Sequence, residues 1–165
     1  MSVKEHTIIG GIVSLGLLPL LGVQSLALWA ASILIDTDHY LEFLYHNGLK
    51  SFSLKEANSY HRILGGWLSK PEFINLSIFH TAECLLLIYF LSLWLGSPWL
   101  KVIFYGMLLH LILDVAHFYK YGLLSKRAFS VVEFKIRKGI MERNGLYPKV
   151  LYKKALDLMC QGTQN

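Results

Sequence analysis

Four short groups in this chain combine imidazole with carboxylate, or stand beside such a pair. They are His6, Asp36-Thr37-Asp38-His39, His80-Thr81-Ala82-Glu83 and His110-Leu111-Ile112-Leu113-Asp114. Imidazole nitrogens and carboxylate oxygens are the ligands of borderline divalent cations such as zinc. His110 and Asp114 are four apart, so on a helix they share one face and can chelate an ion or pair as ligand and support. Asp36 and His39 are three apart while Asp38 points elsewhere, so this run can touch two ions. His80 and Glu83 are also three apart, and Glu83 suits either a ligand or a proton acceptor for a metal-activated water.

Each group has a plainer reading: a buried His–Asp hydrogen bond, polar residues that end a helix, or a His–Glu pair that steadies packing. Two acids are poor helix terminators, because the C-terminal end already carries partial negative charge. Ionisable groups in or beside membrane-length apolar helices are also costly to place. Taken together the groups point to a metal site. His46 and His117 lack comparable partners and read as structural or solvated. His61-Arg62 stays open between a phosphate clamp and a solvated pair.

The elements that must position these residues are apolar. The chain has 165 residues, 54% hydrophobic and 16% charged, against roughly 25% charged in a soluble domain. Mean hydropathy is +0.44. This balance favours an integral membrane protein over a soluble enzyme. Cys84 and Cys160 have no close cysteine partner, which excludes a zinc ribbon and argues against a disulfide framework. Cys84 suits a small core residue. The apolar run after His6 lacks an Ala-x-Ala cleavage site and is expected to be retained as a membrane segment.

Thr7 to Ile35 is 29 residues without a formal charge. As one straight helix it would be roughly 43 Å long, against a hydrocarbon core of about 30 Å. Pro19 and Gly22 near its middle disfavour a continuous helix. The run is therefore one kinked span or a hairpin of two short helices, about 7–21 and 24–35. Ser53-Leu54-Lys55-Glu56 has capping-box spacing and predicts a short helix, whose apolar positions suit the membrane interface. Phe73 to Leu95 reads as a third hydrophobic helix and Trp99 to Tyr119 as a fourth, separated by a turn at Gly96-Ser97-Pro98. Residues 129–141 are ambiguous between helix and strand, and Pro148–Cys160 reads as an amphipathic helix. The expected fold is all-α: a bundle of four hydrophobic helices, the first two a short hairpin, with a cytoplasmic interfacial segment and a basic C-terminal tail. The expected division is 1–119 for the metal-site domain and 120–165 for the tail.

Of the 16 Lys and Arg, ten lie from Lys120 onward, where the acids are only Glu133, Glu142 and Asp157. The positive-inside rule then places the C-terminus in the cytoplasm, beside an anionic leaflet. No nucleic-acid-binding motif accompanies the charge. Tracing the helices backward brings Asp36, His80, His110 and Asp114 to the cytoplasmic side. His6 joins them only if 7–35 is a hairpin.

This ordered pattern resembles the YdjM-type membrane-bound metal-dependent hydrolases of the inner membrane. The residues that carry it are His6 with Gly10 and Gly11, Asp36-Thr37-Asp38-His39, His80-Thr81 and His110 through Asp114, covering the chain to about residue 118. Two departures stand out. Leu34-Ile35 occupy the place of a proline, and no arginine stands near His80. A more distant resemblance is to zinc phospholipase C and P1 nuclease, which suggests a phosphoester substrate.

The resulting expectation is an inner-membrane, multi-pass hydrolase with one to three divalent ions, zinc by preference. His6, Asp36, Asp38, His39, His80, His110 and Asp114 would hold metal, with Glu83 or Asp38 accepting a proton. Membrane lipids would be its surroundings, and a lipid or lipid-linked phosphoester its substrate. Rival readings are a proton or metal-ion transporter, a haem protein with paired histidines and a non-enzymatic membrane adaptor.

Overall fold

A computed structural model describes residues 3–162, which are mostly helical. They divide into two compact units. The first is built from the chain up to Asp36 together with Ile78–Leu124, the second from Thr37–Ser77 together with the chain from Ser125.

The first unit contains α1 (Val3–Leu21), α2 (Ser25–Leu34), α5 (Ala82–Trp94) and α6 (Pro98–Lys120). Pro19 is accommodated within the end of α1. The reversal comes at Gly22, whose φ of +56° is readily adopted by glycine. The two helices then pack side by side in opposite directions: Ser14 Oγ donates to the Ser25 carbonyl and Trp29 Nε1 to the Thr7 carbonyl. Small residues let the backbones approach. A Cβ on Gly10 would lie 2.4 Å from Ser32 Oγ, and one on Gly106 would lie 2.3 Å from the Leu28 carbonyl oxygen. α2 therefore lies against α1 on one side and α6 on another.

Ile35, Leu85 and Met107 form an apolar core in this unit, but along α1 the pattern of burial is reversed from that of a water-soluble bundle. α1 buries His6, Gly10 and Ser14, four residues apart each time. Ile8, Ile12 and Leu15 are exposed, Leu15 to 68%. α5 likewise exposes Leu86, Leu87, Phe90 and Leu93. Two helical stretches, one within Val3–His46 and one at Pro98–Lys120, are long and apolar enough to cross a membrane, while α5 is apolar but shorter.

The expected helix from Phe73 to Leu95 is shorter. Asn75–Leu76 form a brief strand, β1, and Ile78–His80 a single 3-10 turn. Thr81 adopts extended backbone and caps α5, its hydroxyl accepting from the Cys84 amide. This cap resets the chain direction, which the apolar run alone does not reveal.

The second unit contains α3 (Thr37–His46), α4 (Leu54–Gly65), β1, β2 (Arg127–Ala128), α7 (Val131–Arg143) and α8 (Pro148–Gly162). Ser53 caps α4 as its spacing predicts, accepting from the Glu56 amide at 3.3 Å. The ambiguous 129–141 stretch is resolved as helix, started by Ser130, whose side chain accepts from two amides. β1 and β2 pair in parallel, Asn75 beside Arg127 and Leu76 beside Ala128. Phe43, Tyr60, Leu64, Phe73, Leu151, Tyr152 and Met159 form one apolar core. The basic C-terminal segment thus supplies core residues as well as surface charge. Tyr152 anchors it, donating its hydroxyl to the Ile74 carbonyl.

Candidate metal centre

Five of the sequence-predicted residues meet within the first unit: His6 from α1, Asp36 just after α2, His80 from the 3-10 turn before α5, and His110 and Asp114 from α6. His6, His80, His110 and Asp114 are buried, while the Asp36 side chain is 20% exposed. The hairpin of α1 and α2 is what returns His6 to the same end as Asp36.

The donors face one another through Nε2 and carboxylate oxygens. His6 Nε2 is 3.1 Å from Asp114 Oδ1. His110 Nε2 is 3.5 Å from Asp114 Oδ2 and 3.4 Å from Asp36 Oδ1. His80 Nε2 is 3.5 Å from Asp36 Oδ1 and 3.9 Å from Asp114 Oδ2. The His6 and His110 rings stack at 3.7 Å, and the His80 ring meets His110 edge-on at 4.9 Å.

These separations discriminate between two explanations. A direct N–H···O bond prefers about 2.7–3.2 Å, and the His6–Asp114 separation falls in that range. Donors held about 2.0–2.2 Å from one tetrahedral ion lie roughly 3.3–3.6 Å from each other, which the His110–Asp114, His110–Asp36 and His80–Asp36 pairs match. His110 Nε2 is buried and has no hydrogen-bond partner among the described residues, a costly state unless a ligand satisfies it. Two sets, His6–His110–Asp114 and Asp36–His80–His110, each bring three ligand atoms within 4.8 Å of one another. These buried His and Asp groups can hold a metal ion.

The backbone of α2 orients the shared member. At its C-terminal end, the Ile35 amide bonds to the Ala31 carbonyl and the Asp36 amide to that of Ile33. The Ser32 carbonyl accepts from His110 Nδ1 at 2.7 Å instead. A helix-terminal carbonyl thereby orients the His110 ring, holding a proton on Nδ1 and aiming Nε2 at the carboxylates. Sequence reasoning missed Ser32. Its signal was the spacing Ser25, Leu28, Ser32, Asp36, a polar-ended stripe on the buried face of α2.

The remaining predicted residues lie elsewhere. Asp38 is buried in the first turn of α3, and His39 follows it, both in the second unit. Glu83 is exposed in the first turn of α5 and belongs to none of the close donor sets among the described residues. His80 is not on a common helical face with it, because the chain changes conformation at Thr81. His61 is half-buried, and its Nε2 donates to the His39 carbonyl at 2.7 Å; Arg62 is exposed. His46 stacks on Tyr152 at 4.4 Å, a packing role. Comparison with protein-family models, with curated proteins and with solved structures finds no match to this chain.

Proposed function

We propose that the chain is a membrane-embedded metal-dependent hydrolase acting on a phosphoester of a lipid or lipid-linked substrate. The observation that carries this reading is the convergence of His6, Asp36, His80, His110 and Asp114 at separations suited to cation ligation. The outward apolar surface of the same unit supports a lipid setting for its four helices. Ionisable residues buried behind an apolar exterior are what a hydrocarbon solvent selects, since such residues in spans face the bundle interior.

His6, His80 and His110 offer imidazole nitrogens, and Asp36 and Asp114 supply the negative charge that compensates a divalent ion. When bound, such an ion lowers the pKa of water and polarises a phosphoryl oxygen. Asp114 is buried and presents its two oxygens to different histidines, so its role is to fix the donor set. Asp36 is the most open of the five donors, so substrate and solvent reach the cluster past its carboxylate. It can take up a proton there, more directly than the exposed Glu83. The basic bias beyond Lys120 supports a cytoplasmic placement for this end of α6.

The test is elemental analysis of detergent-purified protein, followed by assays on phospholipid and phosphoester substrates, for the wild type, His110→Ala and Asp114→Asn. Bound zinc and hydrolysis should fall together in both variants. Unchanged metal content would overturn the proposal.

A further inference from the structure

The second unit holds another set of metal-type donors: His39 and Glu42 on α3 and His61 on α4. One ligand atom from each lies within 4.8 Å of the others. His39 Nδ1 is 3.8 Å from Glu42 Oε2, one helical turn away. The His39 and His61 rings are 5.3 Å apart and tilted by 58°. None of these residues belongs to the five-donor cluster.

Three features suit the set to a cation. The Glu42 side chain is only 9% exposed, and its Oε2 has no hydrogen-bond partner among the described residues. A buried carboxylate in that state is costly without a compensating charge, and its imidazole neighbours at 3.8 Å and 3.9 Å are beyond hydrogen-bond range. His61 Nε2–H donates to the His39 carbonyl, which holds the ring and leaves the lone pair on Nδ1, as backbone-anchored histidine ligands do. The His39 side chain is 33% exposed, which leaves one side of the set open to solvent.

We propose that His39, Glu42 and His61 form a second divalent-cation site, suited to a first-row transition ion such as zinc, with a coordination position open to water or a small anionic ligand. Three protein ligands and an open position are the arrangement of exchangeable and catalytic zinc sites rather than closed structural ones. The Asp36-Thr37-Asp38-His39 run would then serve two ion sets, Asp36 one and His39 the other.

Metal-stripped full-length protein in detergent is titrated with Co(II), and binding is read by visible absorption and elemental analysis. An Asp114→Asn protein, impaired in the first cluster, should still bind Co(II). Adding Glu42→Gln or His61→Gln should weaken that remaining binding by at least about tenfold. Glu42→Gln alone should remove one equivalent from the wild-type total. Variants that keep the wild-type stoichiometry and affinity overturn the site, whatever Asp114→Asn does to metal content or hydrolysis. A readout without substitution guards against misfolding. Zn(II) should slow carbethoxylation of His39 and His61 in the wild-type protein, read by peptide mass spectrometry, and unchanged rates would overturn the proposal.

Discussion

The Nδ1–H of His110 donates to the carbonyl oxygen of Ser32 at 2.7 Å, and the two residues lie on helices in close contact. One turn earlier, a Cβ added at Gly106 would meet the Leu28 carbonyl at 2.3 Å. Leu28 and Ser32 are four apart, as are Gly106 and His110, so both contacts lie along one seam where α2 and α6 run parallel. The small residue sets the spacing of the helices, and that spacing brings the imidazole within reach of the carbonyl.

Gly106→Ala should therefore act at two levels. Forcing a methyl against a backbone carbonyl costs about 1–3 kcal/mol, as overpacking does. Zinc affinity should fall as well, because the seam that aims His110 is pushed apart. Thermal unfolding in detergent and a competitive zinc titration would check both, and Gly16→Ala, where added bulk meets nothing within 4 Å, is the control.

Zinc should stabilise the protein by mass action. At a free concentration about 100 times the dissociation constant, the gain is about 2.7 kcal/mol. Chelation should lower the melting temperature of the wild type accordingly, and His6→Ala should show a smaller shift. An equal shift in both proteins would remove His6 from the ligand set.

Leu15→Asp distinguishes a lipid-facing from a water-facing α1. Leu15 is 68% exposed. In water such a surface substitution changes stability by no more than about 0.5 kcal/mol. A carboxylate near the centre of a membrane span costs about 2.5–3.5 kcal/mol. Membrane-fraction yield and detergent-extracted melting curves should both drop for Leu15→Asp and stay unchanged for Leu15→Phe.

In the second unit, Tyr152→Phe should destabilise by about 1–3 kcal/mol, because it leaves the buried Ile74 carbonyl without its donor. Limited proteolysis should show faster cleavage within 125–165, while zinc binding at the first cluster persists. Unchanged proteolysis would show that the hydroxyl contributes little.

Much of the architecture is legible from local chemistry. Ser53 announces the start of α4 through its own side chain, and Gly96-Ser97-Pro98 ends one apolar helix and begins the next. Both signals act within a few residues. The stretch from Phe73 is less readable, because a short apolar run with scattered polar residues is compatible with strand or helix. The cap at Thr81 decides the matter, and with it the separation of His80 from Glu83. Glu42 shows the converse: its three-residue spacing from His39 was visible, but nothing local placed His61 beside the pair.

The sequence by itself determined the donor types, their spacing along each helix and the apolar helices that carry them. Those properties follow from side-chain chemistry and the 3.6-residue turn. Only the tertiary structure decided which donors meet. His6 reaches Asp114 across 108 positions of chain, and His110 reaches Ser32 across 78, because helices close-packed at glycine and serine hold them there. No local rule carries that information, since it depends on which helix faces which. Asp36 and His39 fall into different sets of donors, so a motif that looks like one site in sequence contributes to two.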